Sequence, residues 1–181
     1  MRLGDLRPLF NKFGKVMTVR KKVFIDIEFT DFIDPHLISI GLVTEAGEEF
    51  YAEVPYPRAK CSEFVVDTVI PLLRNNPDDF CTLDALAPRL ASWLEMVKEE
   101  GRDLEICFDY GTDWDLFVSA FRRHIPAYIR ARNVVSNVDH ALCCEWHEST
   151  GLPEHHALYD ARALRHGYCD LPPVTSAKII W

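Results

Sequence analysis

Two carboxylates lie one residue apart inside an apolar segment near the start of the chain. Asp26 and Glu28 belong to residues 23–32, "VFIDIEFTDF". Side chains two residues apart on a strand point to the same face, and neighbouring carboxylates repel each other unless a cation lies between them. Divalent cations such as Mg²⁺ prefer oxygen ligands of this kind. The pair therefore predicts a divalent metal site on a buried strand, and the alternative is an exposed edge strand with one polar face.

Such a site needs further carboxylates, and two later segments contain them. Asp109, Asp113 and Asp115 follow the apolar run "LEICF", at a strand-to-helix junction where sites of α/β proteins gather. Asp113 has a second explanation as the N-cap of the next helix. Asp160 lies beside an apolar helical stripe in "HHALYDARALRHGY", where an acidic residue is unusual without a partner.

His155 is a candidate general base, because histidine as a residue type changes charge near neutral pH. It precedes Asp160 by five residues, a spacing that would rotate it about 140° away from the aspartate within one helix. His155 reaches the same site only from a loop before the helix, and Pro153 favours a loop there. The alternative is an exposed loop histidine without a catalytic role.

Three motifs in this order resemble the DEDD superfamily of 3′–5′ exonucleases, in its histidine subclass (DEDDh, DnaQ-like). They are "DIE", "GTDWDLF" and "HHALYDA". The pattern His-x-Ala-x-x-Asp-Ala selects His155 over His156, and an aromatic-Asp pair selects Asp115 over its acidic neighbours. The segment "DIEFTDF…LISIGLVTEAGEEFYAEV" is especially similar to mycobacterial-type 3′–5′ exoribonucleases. The resemblance covers roughly residues 22–170.

The resemblance implies a catalytic set and a reaction. Asp26, Glu28, Asp115 and Asp160 would hold two Mg²⁺ or Mn²⁺ ions, and His155 would act as the general base. The enzyme would hydrolyse phosphodiester bonds from the 3′ end of RNA and release nucleoside monophosphates. The middle motif has "YGT" where proofreading exonucleases carry an asparagine, which favours the exoribonuclease branch. A DNA exonuclease with the same chemistry and a non-catalytic RNase H-like binding module are the alternatives.

Substrate contacts are expected beside the first two motifs. Ile27, Phe29 and Thr30 surround the first acids and would border the terminal nucleotide, and Trp114 precedes Asp115. Stacking of a base on Phe29 is one expectation. Strand alternation turns Phe29 away from Glu28, so packing in the core is the other, and the same choice applies to Trp114.

A zinc site is a rival interpretation of the segment from His140 to His156. It contains four histidines and two cysteines, namely His140, Cys143, Cys144, His147, His155 and His156. Structural zinc sites usually have pairs of ligands separated by two to four residues. The sequence "CCEWH" lacks that spacing, which favours reduced thiols on a helix.

The composition is typical of a globular cytoplasmic protein. The chain has 181 residues, 48% hydrophobic residues and a net charge of −8, and an acidic balance argues against a non-catalytic nucleic-acid coat. Scattered cysteines and the lack of a signal peptide or a long apolar run predict a cytoplasmic protein without membrane contact. The expected partners are RNA or DNA 3′ ends, and the resemblance implies a homodimer.

The predicted elements form an α/β fold of RNase H-like type, a mixed β-sheet flanked by α-helices. Strands are expected near residues 22–29 and 104–108, with a hairpin that turns at Ala46-Gly47 and a short strand in "NVVSNV". Helices are expected in residues 62–73, 82–101, 113–124, 139–148 and 156–167. Residues 1–20 are predicted to be an N-terminal extension, and residues 21–181 a single exonuclease domain.

Overall fold

A mixed five-stranded sheet forms the centre of the protein, in a computed structural model that describes residues 20–170. The strand order is β3-β2-β1-β4-β5. Residues 1–19, which belong to the predicted N-terminal extension, and residues 171–181 lie outside the described residues. None of the helices within residues 20–170 is long and apolar enough to cross a membrane. The strands are β1 (Lys21–Phe29), β2 (Leu37–Thr44), β3 (Glu49–Glu53), β4 (Leu104–Phe108) and β5 (Ile129–Asn133).

The strand pairing places the ends of three strands at one edge of the sheet. β1 is antiparallel to β2, while β1, β4 and β5 run parallel to one another. The carboxyl ends of parallel strands meet at the same edge. Asp26 and Glu28 near the end of β1 therefore lie close to the segment that follows β4.

Four α-helices cover the two faces of this sheet. The first two pack on the face that carries Val23, Ile25 and Ile27, and the last helix packs on the face that carries Phe24. This division follows the alternation of side chains along β1. The helices are α1 (Leu83–Val97), α2 (Gly111–Ala120), α3 (His140–Thr150) and α4 (Ala157–Gly167).

The helix α1 begins where its cap predicts. The Thr82 side chain accepts a hydrogen bond from the backbone N–H of Ala85 at 3.3 Å, which satisfies one free donor of the first turn. The helix ends at Val97, and Gly101 lies in the following turn with a φ of +74°. Pro88 lies inside the helix, which begins before it at Leu83.

Two predicted elements differ in the structure. Residues 62–73 contain a π-helix (Val65–Val69) followed by a 3₁₀ turn (Ile70–Leu72), because Pro71 interrupts regular α-helical hydrogen bonding. The expected strand in "NVVSNV" is a 3₁₀ turn (Val135–Asn137). The strand there is β5, "IRARN", in which Arg130 and Arg132 interrupt the apolar pattern of a strand.

Candidate active site

Three carboxylates meet at the carboxyl edge of the sheet. Asp26 and Glu28 extend from β1, and Asp160 extends from the first turn of α4. One oxygen atom of each carboxylate lies within 4.8 Å of the other two. Among residues 20–170 this is the only such group of acidic, histidine or cysteine side chains. The Cys/His segment from His140 to His156 contributes no second group of this kind within the described residues.

Burial and mutual repulsion make this cluster costly to ionise. The pKa of Asp26 is raised well above its usual value by burial and by the charges of Asp160, Asp113 and Glu28. Burial and the charge of Asp160 likewise raise the pKa of Glu28. A divalent cation would offset both effects, because it supplies opposite charge to oxygen atoms that have lost contact with water. The donor set therefore fits a divalent metal.

Asp160 is held by two groups from its own side of the sheet. The backbone N–H of His155 donates to its Oδ2 at 2.8 Å, and His147 Nε2 lies 3.1 Å from its Oδ1. His147 Nδ1 is in turn 3.0 Å from the Leu152 carbonyl oxygen. Burial raises the pKa of Asp160 to about 6, while both histidines act in the opposite direction. These contacts orient the carboxylate toward β1.

His147 was missed in the sequence, although its contact with Asp160 is direct. It lies on α3, thirteen residues before Asp160, and belongs to none of the three motifs. Histidine is intermediate between the typically buried and the typically exposed residue types, so a lone histidine on a helix does not by itself indicate a site. The one available signal for His147 was the cluster of histidines between His140 and His156, which the sequence analysis considers only as zinc ligands.

His155 reaches the cluster from the loop before α4, two residues ahead of the helix. Its side chain lines the same cleft as Asp26, Glu28 and Asp160. The backbone has a φ of +65°, a conformation that is uncommon for residues other than glycine. The imidazole packs edge-on against the Phe64 ring, with 5.0 Å between the ring centroids. The loop thus presents an imidazole ring to the carboxylates.

Asp115 does not join the cluster. It is exposed on α2, whereas Asp113 is 2% exposed and lines the cleft with Asp26 and Glu28. Successive helical residues are rotated by 100°, so residues two apart face nearly opposite directions. Burial and the charges of Asp109 and Glu28 raise the pKa of Asp113. The structure thus places Asp113 where the sequence predicted Asp115.

The start of α2 explains this difference. The helix begins at Gly111 and its N-cap is Tyr110, so Asp113 lies inside the first turn and is not the N-cap. The spacing of Asp113, Phe117 and Phe121 is four residues each, and all three are buried. This stripe was the signal that could have selected Asp113.

Two of the predicted substrate contacts are structural in this fold. The Trp114 ring stacks between Phe108 and Phe117 at centroid distances of 5.7 and 5.6 Å, so it belongs to the core. Thr30 is fully buried, and its hydroxyl accepts a hydrogen bond from the backbone N–H of His36 at 3.0 Å. Its role is to fix the loop between β1 and β2.

Phe29 borders the site together with three further aromatic residues. It lines a cleft of about 770 Å³ beside the carboxylates, as do Phe32, Phe64 and Tyr110. The ring of Phe32 is 74% exposed, while Phe64 and Tyr110 are about half exposed. Ile27 also borders this cleft, but its side chain packs in the opposite core. The cleft therefore combines an acidic floor with aromatic walls.

Comparisons with known proteins give a fold. No family model and no curated protein sequence matches the chain. Two solved structures match with a TM-score of 0.55 each and cover 80% of this chain. One is a 3′-exonuclease that recognises the histone mRNA stem-loop, at 14% identity over 78% of its length. The other is the nuclease domain of 3′hExo, a DEDDh family member, bound to rAMP, at 15% identity over 88%.

These matches confirm the predicted fold class. The mixed sheet with helices on both faces is the RNase H-like fold of those nuclease domains. The fold thus agrees with the fold that the resemblance of the three sequence motifs implies.

Proposed function

We propose that this protein is a metal-dependent 3′–5′ exoribonuclease that releases nucleoside monophosphates from the 3′ end of RNA. One observation carries the proposal, the meeting of Asp26, Glu28 and Asp160 within 4.8 Å at the carboxyl edge of an RNase H-like sheet. Three partly buried carboxylates of this kind need a cation, and phosphodiester hydrolysis is a reaction that cations held by carboxylates support.

Four carboxylates are proposed as the ligands of Mg²⁺ or Mn²⁺. Asp26, Glu28 and Asp160 would form the inner group, and Asp113 would join them in place of Asp115. When bound, two such ions supply a nucleophile at neutral pH and stabilise charge on the leaving oxygen. The protein contributes the fixed spacing of these groups, since two lie on a central strand and two in the first turns of packed helices.

His155 is proposed as the general base. Its imidazole faces the cleft from a loop whose backbone N–H is bonded to Asp160. This bond fixes the position of the loop relative to the carboxylates, and the ring contact with Phe64 limits the rotation of the imidazole. A histidine held in this way can accept the proton of an attacking water molecule and return it to solvent.

The aromatic walls of the cleft are proposed to hold the bases at the 3′ end. Phe32, Phe64 and Tyr110 leave ring surface open to solvent beside the carboxylates. Stacking of a base on an aromatic side chain contributes about 1–3 kcal/mol and does not depend strongly on sequence. This arrangement supports binding of unpaired 3′ ends of RNA or DNA.

The preference for RNA rests on the similarity of residues 26–54 to mycobacterial-type exoribonucleases. The structural neighbours, a nuclease that recognises a histone mRNA stem-loop and a nuclease domain bound to rAMP, are consistent with this preference. A homodimer and a cytoplasmic location stay predictions from the sequence.

Degradation of matched RNA and DNA oligonucleotides, each labelled at the 5′ end, tests the proposal. With Mg²⁺ or Mn²⁺ the RNA should shorten one nucleotide at a time from its 3′ end, and EDTA should stop the reaction. Faster removal of DNA would replace the proposed substrate by DNA. An absence of hydrolysis with either metal, together with retained RNA binding, would instead indicate a non-catalytic binding module.

A further inference from the structure

Gly41 lies at the closest approach between the sheet and helix α4. A Cβ atom at this position would stand 2.4 Å from the carbonyl carbon and oxygen of Ala157 and 2.4 Å from the Cα of Leu158. Carbon atoms of packed groups normally approach to about 3.5–4.0 Å. All three neighbours are backbone atoms, so none of them can move aside by a side-chain rotation. Only glycine, which has no Cβ, allows α4 to pack this close to β2.

The strand register places Gly41 beside the metal-site carboxylates. In β2 it pairs with Asp26 of β1 on one side and with Tyr51 of β3 on the other. Paired residues of neighbouring strands point to the same face of a sheet. The first turn of α4 therefore rests on the sheet next to Asp26, and Asp160 follows Ala157 by three residues.

We infer that Gly41 is a positioning residue for the metal site, because it sets the depth at which α4 holds Asp160 against Asp26 and Glu28. The inference rests on the proposed function, since it assigns to Gly41 an effect on metal binding at that site. Ordinary contact with a Cβ at position 41 would require the first turn of α4 to rise by roughly 1 Å. Protein oxygen ligands must lie within about 0.2 Å of their preferred distance from the metal.

A stack of rings guides the same turn of the helix. The His156 ring lies between Tyr51 and Tyr159, at centroid distances of 4.7 and 3.9 Å. It is 2% exposed, and neither of its ring nitrogens has a hydrogen-bond partner within residues 20–170. Burial and the nearby Arg74 lower the pKa of His156 to about 4. The imidazole of His156 is therefore an uncharged ring packed between the sheet and α4.

Direct measurement of Mn²⁺ binding tests the inference without any turnover of substrate. We expect Gly41→Ala to weaken Mn²⁺ binding by about 10–100-fold in isothermal titration calorimetry, the effect typical of residues that position metal ligands. Gly111→Ala is the matched control, because a Cβ at Gly111 meets no atom within 4 Å. That variant should bind Mn²⁺ as the unaltered protein does.

A second control separates positioning from loss of stability. Leu94 is fully buried in the core below α1, on the face opposite to α4, and Leu94→Ala should destabilise the fold by about 2–5 kcal/mol. Measured well below its melting temperature, this variant should retain normal Mn²⁺ affinity. Equal loss of Mn²⁺ affinity in Leu94→Ala and Gly41→Ala would indicate a general effect of instability, and it would overturn the inference.

The possible results are distinct. Normal Mn²⁺ affinity in a folded Gly41→Ala protein would refute the role of Gly41 and leave the proposed function intact. Absence of Mn²⁺ binding by the unaltered protein would refute the proposed function itself. If circular dichroism shows that Gly41→Ala is unfolded, Tyr51→Leu replaces it in the Mn²⁺ titration, because this variant removes one ring of the stack that contacts the first turn of α4. Unchanged Mn²⁺ affinity in that variant would likewise contradict the inference.

Discussion

At the scale of single residues, Asp113 and Asp115 form a natural pair for comparison. They are two positions apart on α2, yet Asp113 is buried at the cleft and Asp115 is exposed. We expect Asp113→Asn to reduce the rate of RNA hydrolysis by at least about 100-fold, since a bound metal contributes several kcal/mol to this reaction. Asp115→Asn should stay within a few-fold of the unaltered enzyme. Single-turnover rates on a labelled RNA measure both variants, and the reverse order would restore the sequence assignment.

His155 should affect the rate without affecting the metal. General base catalysis contributes about 10²–10⁴-fold, so His155→Ala should lose activity in that range at pH 7. Its Mn²⁺ affinity should change little, because the contact with Asp160 comes from the backbone N–H. His166→Ala on the exposed side of α4 is the control and should be fully active. A His155→Ala enzyme with normal hydrolysis would exclude the proposed role.

The residues that sequence could identify are those with strong local patterns. Asp26 and Glu28 interrupt an apolar strand, and Asp160 interrupts an apolar helical stripe, so their placement follows from alternation and helical period. Asp113 was named as a candidate but not selected, because the choice between two acidic residues depends on where α2 begins. His147 was missed because its contact with Asp160 joins two helices, and no local spacing encodes such a contact.

At the scale of elements, strands were predicted more closely than the irregular segments. The limits of β1 and β4 agree with the predicted ones to within one residue, and β2 and β3 form the predicted hairpin. These strands are apolar and bounded by polar turns, which is the pattern that sequence reasoning detects. The strand β5 was misplaced because its two arginines interrupt the apolar pattern by which a strand is recognised. The π-helix was read as an ordinary helix, since its apolar spacing resembles that of an α-helix.

The loop between β1 and β2 supplies a test of the aromatic cleft. Phe32 is 74% exposed and contacts the rings of Phe29 and Tyr110 edge-on, at 5.3 and 6.0 Å between centroids. We expect Phe32→Ala to raise the KM for a short RNA by about 10-fold, because one stacked base contributes about 1–3 kcal/mol. Ile33→Ala, at a neighbouring position that is 93% exposed, is the control. Equal KM values for both variants would place the bases elsewhere.

At the scale of the whole molecule, the acidic cluster couples stability to pH and metal. Burial and the charge of Asp160 raise the pKa of Glu28 from 4.5 to about 8 in the folded protein. The unfolded chain has the ordinary value, so the folded state binds the proton more tightly. Stability from this group is complete below about pH 4.5 and is lost as the pH rises toward 8.

Thermal unfolding in EDTA should therefore occur at a lower temperature at pH 8 than at pH 5.5. One kcal/mol corresponds to about 2–4 °C for a protein of this size, and each pKa unit to about 1.4 kcal/mol. We expect a fall of about 5 °C or more, and excess Mn²⁺ should reverse most of it because the cation binds the ionised carboxylates of the folded state. Glu28→Gln is the control, since its amide does not ionise and its melting temperature in EDTA should depend less on pH. A melting temperature that rises from pH 5.5 to 8 in EDTA, or that Mn²⁺ leaves unchanged, would contradict a metal site built on Glu28.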